Sequence, residues 1–282
     1  MSGALTSSDV LIDGVPLAPD AALISVLDIS VLRGYGCFEA LRSYGGVPFR
    51  LEAHLERLEA GAAALRLPLP ERPNLAGWVR DVAAAAGDAV VRLVVTGGTD
   101  GAHPGNDTRV VVFAEALPAA PLAYRIVPLM APWHAAGGSH RLAGVKTTSY
   151  AAHVAATLEA KERGFDAALL VASSGEVLEG PTFSVGWVRG GTVEIPSLDL
   201  GILASITRSA VIEAGEALRM TVTEVREPLQ RLLGAEEVFV MSTVREVAPV
   251  VAVGDVVFAA GPVTASLSST FSGIVQASTL SP

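Results

Sequence analysis

Cysteine, lysine and aromatic residues are scarce in this 282-residue chain, and each shortage narrows what it can be. A single cysteine, Cys37, rules out an internal disulfide, and with only five scattered His it leaves no spacing of the kind that holds a structural zinc. No metal site is expected. The aliphatic residues come in short runs broken by charge, Gly or Pro, and none approaches the ~20 consecutive apolar residues of a membrane helix. Positive charge is in deficit: a net charge of −9 repels a phosphate backbone, and no basic stripe interleaved with aromatics is present. Neither a membrane nor a nucleic acid is therefore expected as a partner. The start, MSGALTSSDVLIDG, lacks the basic and apolar regions of a secretory signal, and Asp13 counts against a transit peptide. Cytoplasm is the expected location.

What is present is apolar side chain, 50% of the residues, enough for the two cores that this length predicts. DVLIDGVPL carries an Asp13-Gly14 hairpin signal, and FEALRSYGGVPFRL pairs two strand-like runs about Gly45-Gly46. EAHLERLEAGAAALRL sets Leu55, Leu58, Ala62 and Leu65 at helical spacing, NLAGWVRDVAAAAG reads as a second helix closed by Gly87, and VVRLVVT and RVVVFAEAL read as buried strands. These elements predict a small α+β domain over residues 1–116. The Pro/Ala stretch 117–123 is donor-poor and stiff, and is read as a linker. Residues 124–282 then alternate strands (AYRIVPL, DAALLVA, SVGWV, TVTEV, EEVFVMS, APVVAV) with helices near 151–163, at ITRSAVIEAGEAL, at LQRLLG and at the C-terminus. The expected class is α/β (α+β) in two domains.

Of the 20 Lys and Arg, only Lys146 and Lys161 are lysine. Arginine can replace most surface lysines, but its guanidinium stays protonated and cannot form a Schiff base. Lys161 lies among Glu159, Glu162 and Arg163 and reads as solvated helix surface. Lys146, in GVKTTSY, instead has Leu142, Ala143 and Val145 before it and three hydroxyls after it. An amine with an apolar flank is easily desolvated into its neutral, nucleophilic form. If Lys146 binds an aldehyde cofactor, the chain should also carry a phosphate cup and an acid for a ring nitrogen. Ser205-Ile206-Thr207 opens a helix, where amide N–H groups suit a phosphate, although plain N-capping by Ser205 explains it as well. Ser242 and Thr243 follow a buried strand. Arg57 lies on a helix one turn beyond His54, and Glu179 stands before a Gly180-Pro181 turn.

In this order and spacing, GCFEALRSYGGVPFRLEAHLERL, KTTSY, EVLEGPTFSV, ITRSAVIEAG and VFVMSTVREVAPV resemble the class IV aminotransferases. These fold-type IV pyridoxal-phosphate enzymes include D-amino acid transaminase, branched-chain aminotransferase and aminodeoxychorismate lyase. The resemblance implies a two-domain fold with pyridoxal 5'-phosphate in the interdomain cleft, and a homodimer whose second subunit completes the site. It implies Lys146 as the Schiff-base lysine and proton shuttle, Glu179 at the pyridine nitrogen, and Arg57, Ile206, Thr207, Ser242 and Thr243 around the phosphate. Tyr150, on a helix expected to enter from KTTSY, would share a face with Lys146 at i+4. The substrates implied are an amino acid and a 2-oxo acid.

Three positions bear on how a substrate carboxylate is held. Gly97 follows VVT where many members carry an arginine. Arg92 matches an arginine of branched-chain enzymes, and reads equally as a solvent-facing strand residue. Arg33 in LRGYGCFE resembles the substrate carboxylate clamp that a minority of D-amino acid transaminases place in this loop and contribute from the neighbouring subunit, with Phe38 as a pocket wall. Arg33 puts D-amino acids ahead; a branched-chain L-amino acid aminotransferase and a pyruvate-releasing aminodeoxychorismate lyase are the alternatives. After Glu179 the chain also reads Ser184-Val185-Gly186 in place of the usual Asn-Ile/Leu-Phe.

Overall fold

A computed structural model describes residues 10–134, 136 and 140–279; residues 1–9, part of the stretch read for targeting signals, lie outside them. Asp13 and Gly14, at φ 52° and 80°, turn the chain between β1 (Val10–Ile12) and β2 (Val15–Leu17), the left-handed pair a two-residue hairpin requires. Helix α1 (Ile29–Arg33) has no counterpart in the sequence reading. It is only five residues long and is set by its ends: the Asp28 side chain accepts from the Ser30 N–H, and Gly34 closes it at φ 64°. Gly45 and Gly46 then turn β3 (Cys37–Tyr44) into β4 (Val47–Pro48).

Two fifteen-residue helices follow, α2 (Leu51–Leu65) and α3 (Arg72–Ala86), and then β5 (Ala89–Val95) and β6 (Val110–Ala116). The strands form one antiparallel sheet in the order β2-β1-β6-β5-β3-β4. Leu55, Leu58, Ala62 and Leu65, the stripe expected on α2, are all buried, as are Leu75 and Val79 of α3 and Leu93 of β5. Residues 117–123 contain no helix or strand.

The described residues form two compact units. The first contains the chain up to Ala119 together with Val145–Tyr150, so the lysine segment is grouped with the antiparallel sheet, where Thr147 bridges Cys37 of β3, far earlier in the chain. The second contains Ala120–Gly144 and Ala151–Ala277.

In the second unit β7 (Tyr124–Met130), α4 (Ala151–Glu162), β8 (Ala167–Val171) and β9 (Ser184–Arg189) follow in turn, then β10 (Thr192–Pro196), α5 (Ile206–Ala217), β11 (Val222–Val225) and α6 (Leu229–Leu233). β12 (Glu237–Ser242), β13 (Glu246–Val253), β14 (Val256–Val257) and α7 (Pro262–Thr279) complete it. The sheet is mixed, in the order β11-β10-β9-β12-β13-β7-β8, with β14 paired to β13. β10 is absent from the sequence reading; Gly190-Gly191 turns the chain back so that it pairs antiparallel with β9.

Both faces of this sheet are covered, which is why its strands read as near-continuous apolar runs. Ile126, Leu169, Val185, Trp187 and Val240 pack on one side, and Val127 and Leu170 meet Ala156 and Ala160 of α4 on the other. Lys161 is exposed in the last turn of α4. No described helix is long and apolar enough to cross a membrane.

Candidate active site

Hydrogen bonds to the stretch Gly34–Phe38 hold the Lys146 segment. The Phe38 N–H donates to the Lys146 carbonyl (3.0 Å), and the Thr148 N–H donates to the Gly36 carbonyl (2.9 Å). The Thr148 and Ser149 hydroxyls both donate to the Gly34 carbonyl at 2.8 Å, so these two hydroxyls of KTTSY serve as anchors. Lys146 Nζ lies 4.5 Å from the centroid of the Phe38 ring and 3.4 Å from the Tyr150 hydroxyl. Phe38 and Tyr150 meet edge to face at 5.3 Å, so the amine sits in an aromatic notch. Tyr150 does not share a helix with Lys146, because α4 starts only at Ala151. The two side chains meet from a bent, non-helical segment: the Lys146 carbonyl and the Thr148 N–H are engaged by Phe38 and Gly36, while the Thr147 and Tyr150 N–H groups close tight turns on the Val145 and Thr148 carbonyls.

Behind the notch lies a charged cluster in which the motifs assign a role to Arg57 alone. Glu39, 1% exposed, accepts from Arg57 Nε (2.7 Å), Arg57 Nη2 (2.7 Å) and His54 Nδ1 (2.8 Å). Its sequence signal is a carboxylate on the apolar side of a strand, between Cys37 and Leu41, with His54 and Arg57 at i and i+3 on α2. Burial alone would raise the Glu39 carboxyl; the charges and hydrogen bonds of His54 and Arg57 overcome it and lower it to about 2. Burial pushes the His54 imidazole down, against the pull of Glu39 and with help from Arg57 and Lys146. At neutral pH this leaves Glu39 ionised and His54 neutral, donating from Nδ1; the His54 charge that helps hold Glu39 down arises only once acid protonates the ring. Burial, and then the Glu39 charge, push the Cys37 thiol up to about 12, so it stays protonated.

Cross-strand register puts Phe38 beside Val94 and Ala40 beside Arg92 on one face of the first sheet, with Glu39 and Leu93 on the other. Arg92 donates from Nε to Glu115 (2.8 Å) on the face it shares with Phe38. Arg33 is exposed at the end of α1, next to the Gly34 carbonyl that anchors Thr148 and Ser149. Gly97 is closed to any side chain: a Cβ there would lie 2.3 Å from the Tyr35 carbonyl oxygen and 2.4 Å from Ile29 Cγ1.

The remaining candidates converge at one end of the second sheet. Ser184 pairs with Met241, so the residues before β9 lie beside those after β12, and Arg245 Nη1 donates to the Thr182 carbonyl at 3.3 Å. Glu179 Oε1 accepts from the Leu203 N–H (3.2 Å), two residues before the Ser205 cap of α5, which packs on β12. Ser205 Oγ accepts from the Arg208 N–H (3.3 Å), so the expected capping is present; Ile206 follows at the first helical position and Thr207 is buried. Ser242 is buried and its Oγ accepts from the Arg245 N–H (3.1 Å), with Thr243 next to it. Ser184 Oγ is buried there with no hydrogen-bond partner. At Gly186, where an aromatic residue is usual, the Phe239 ring of β12 fills the space and would lie 2.5 Å from an added Cβ.

A family model described as Amino-transferase class IV matches residues 36–253. The chain belongs to the class IV aminotransferase family. It is similar to a putative branched-chain-amino-acid aminotransferase of Methanocaldococcus jannaschii, 31% identical over 81% of this chain and 82% of that one. It is also similar to a bifunctional aminodeoxychorismate lyase / D-amino acid transaminase of Mycobacterium tuberculosis, 32% identical over 74% of this chain and 78% of the other. Among solved structures, the branched-chain aminotransferase of the thermophilic archaeon Thermoproteus uzoniensis with norvaline superposes with a TM-score of 0.88 at 27% identity, covering 96% of this chain and 96% of that chain. Class IV aminotransferases use pyridoxal phosphate, and the side chains of each unit have chemistry that suits it: in the first, an amine in an aromatic notch and an arginine; in the second, a carboxylate, a capped helix N-terminus and the unpartnered Ser184 hydroxyl.

Two outcomes follow from this geometry. Gly97→Ala is expected to lose about 1–3 kcal/mol in urea unfolding, because the Tyr35 carbonyl and Ile29 must move to admit the methyl. The buried His54 and Glu39 make the protein acid-sensitive in two windows. His54, lowered from the ordinary 6.5, contributes stability that is complete above pH 6.5 and declines below it, because the unfolded chain takes up that proton first. Glu39 adds stability that is lost as pH falls from the ordinary 4.5 through about 2. His54→Gln should flatten the melting temperature–pH curve just below pH 6.5 by differential scanning calorimetry; an unchanged slope would refute the buried neutral imidazole.

Proposed function

We propose that this class IV aminotransferase moves the amino group of a small D-amino acid to a 2-oxo acid, in the cytoplasm, and works as a homodimer. The observation that carries the donor and the dimer is the setting of Arg33. This exposed cation ends a stretch in which Leu23, Val26, Leu27, Val31 and Leu32 are 58 to 77% exposed. So much apolar surface in one segment calls for a covering surface, and a second copy of the chain both covers it and receives Arg33 as the clamp on its substrate carboxylate. Gly97 offers no room for a clamp of its own, and Arg92 is engaged by Glu115.

When bound, pyridoxal phosphate supplies a covalent handle for the substrate amine and an electron sink for the carbon that loses its proton. The other steps fall to side chains. Lys146 would hold the cofactor, and its freed, neutral Nζ would take the α-proton and return it to the cofactor carbon bonded to the substrate nitrogen, which a guanidinium cannot do. Phe38 and Tyr150 orient Nζ and keep water from it. Glu179 keeps the pyridine nitrogen protonated, with its own carboxylate oriented by the Leu203 N–H. Arg57, Ile206, Thr207, Ser242 and Thr243 hold the phosphate.

A second reading, a branched-chain L-amino acid aminotransferase or an aminodeoxychorismate lyase, is favoured by the names of the relatives. Mixing purified enzyme with D-alanine, D-glutamate or L-leucine separates these cases: the D-amino acids should bleach the visible absorption of the bound cofactor faster, and Lys146→Ala should abolish turnover. Bleaching by L-leucine alone, or pyruvate release from aminodeoxychorismate without bleaching, would support the second reading. Arg33→Gln should lower kcat/KM for D-amino acids about 10- to 100-fold. Neither inactive Lys146→Ala subunits nor Arg33→Gln subunits should match wild type alone, and activity should return on mixing them if Arg33 serves the partner's site. No recovery on mixing, with dimers present by sedimentation, would put Arg33 out of that role.

A further inference from the structure

The Glu39–His54–Arg57 cluster is more elaborate than a helix needs for docking on a sheet. Glu39 and His54 are 1% and 3% exposed, while Arg57 keeps 15% of its side chain exposed, so the cluster is sealed at its carboxylate end and open at its guanidinium end. Burying an ionised carboxylate in an apolar layer is costly, and apolar residues of similar volume would pack α2 on β3 at least as well. Both Glu39 oxygens are used: Oε1 by Arg57 Nε, and Oε2 by Arg57 Nη2 and His54 Nδ1. The two-point contact fixes the plane of a guanidinium that otherwise turns about a long flexible stem, and the His54 N–H stops the carboxylate from rotating in turn. With His54 neutral, the cluster holds one negative and one positive charge, so orientation, not extra charge, is what Glu39 and His54 give Arg57.

We propose that Glu39 and His54 are positioning residues that pre-orient Arg57, and that they thereby set how strongly the protein prefers a phosphorylated cofactor over its dephosphorylated form. This rests on the reading of Arg57 as a phosphate ligand. Preorganisation lowers the entropy lost when the phosphate arrives, and a merely structural cluster would not distinguish the two cofactor forms.

The test uses cofactor-free full-length protein titrated with pyridoxal 5'-phosphate and, separately, with pyridoxal, following the quenching of intrinsic fluorescence. The quantity read is the ratio of the two dissociation constants. Glu39→Gln should reduce the preference for the phosphorylated form about 10-fold and His54→Gln about 3-fold, with pyridoxal binding changed less than about 2-fold. In an Arg57→Ala background Glu39→Gln should have no further effect on the ratio. Should Glu39→Gln fail to fold, His54→Gln leaves the ion pair in place and carries the test. Equal weakening of both ligands would overturn the proposal and make the cluster structural. An unchanged ratio in Glu39→Gln with a collapsed ratio in Arg57→Ala would also overturn it, yet leave Arg57 as a phosphate ligand. An unchanged ratio in Arg57→Ala would remove the phosphate reading itself.

Discussion

The geometry around Lys146 depends on a short hydrogen-bonded junction. The backbone of Gly36 and Phe38 pairs with Lys146 and Thr148, and the Gly34 carbonyl accepts two further hydroxyls from Thr148 and Ser149. Without these bonds a loop of Gly, Thr and Ser would have no reason to hold one conformation, since such residues lose much backbone freedom on ordering. With them, the lysine amine is held against Phe38, whose backbone N–H is itself part of the junction. Gly34 also terminates α1, so Arg33 and the lysine segment share one anchor. Close packing around the junction is tight enough that the glycines in it cannot be replaced freely: at Gly36 a Cβ would lie 2.6 Å from the Val95 carbonyl oxygen.

The charged cluster behind the junction follows a different logic. A strand that turns Cys37, Glu39 and Leu41 toward a helix must either neutralise the carboxylate or satisfy it, and α2 satisfies it with His54 and Arg57 three residues apart. In the second unit the same economy of position recurs at the end of the sheet. Antiparallel register of β9 with β12 brings Ser184 beside Met241, at the end where β12 finishes in Ser242 and where the Gly180–Phe183 turn leads back to Glu179. Gly186 is tied to its cross-strand partner in the same way: the Phe239 ring occupies the space that a Cβ there would need.

Most of the fold is legible in the sequence because its elements are long enough for their periodicity to show. The α2 stripe, the Val-rich β5 and β6, and the Asp13-Gly14 and Gly45-Gly46 turns depend on neighbours within a few residues. Helix α1 is too short to carry a period and is set by Asp28 and Gly34, while β10 lies behind a Gly-Gly turn in a stretch whose apolar alternation is brief. The helical explanation for Tyr150 fails for a related reason: a spacing of four residues suggests a shared helix face, but tight turns and hydrogen bonds to Gly34–Phe38 bring the two side chains together without a helix.

Chemistry and partnership thus divide between the two levels. The sequence alone determined that Lys146 stands apart, since a chain that writes nearly all its positive charge as arginine retains an amine there, and it determined the order of motifs that marks the family. Those are properties of residue type and spacing, which need no contacts. Tertiary structure alone decided that Glu39 is buried and ion-paired, that Gly97 has no room for a side chain, and that the Lys146 segment pairs with the start of β3, far earlier in the chain. Each depends on which distant segments pack together, and no local propensity encodes a pairing between Gly36 and Thr148.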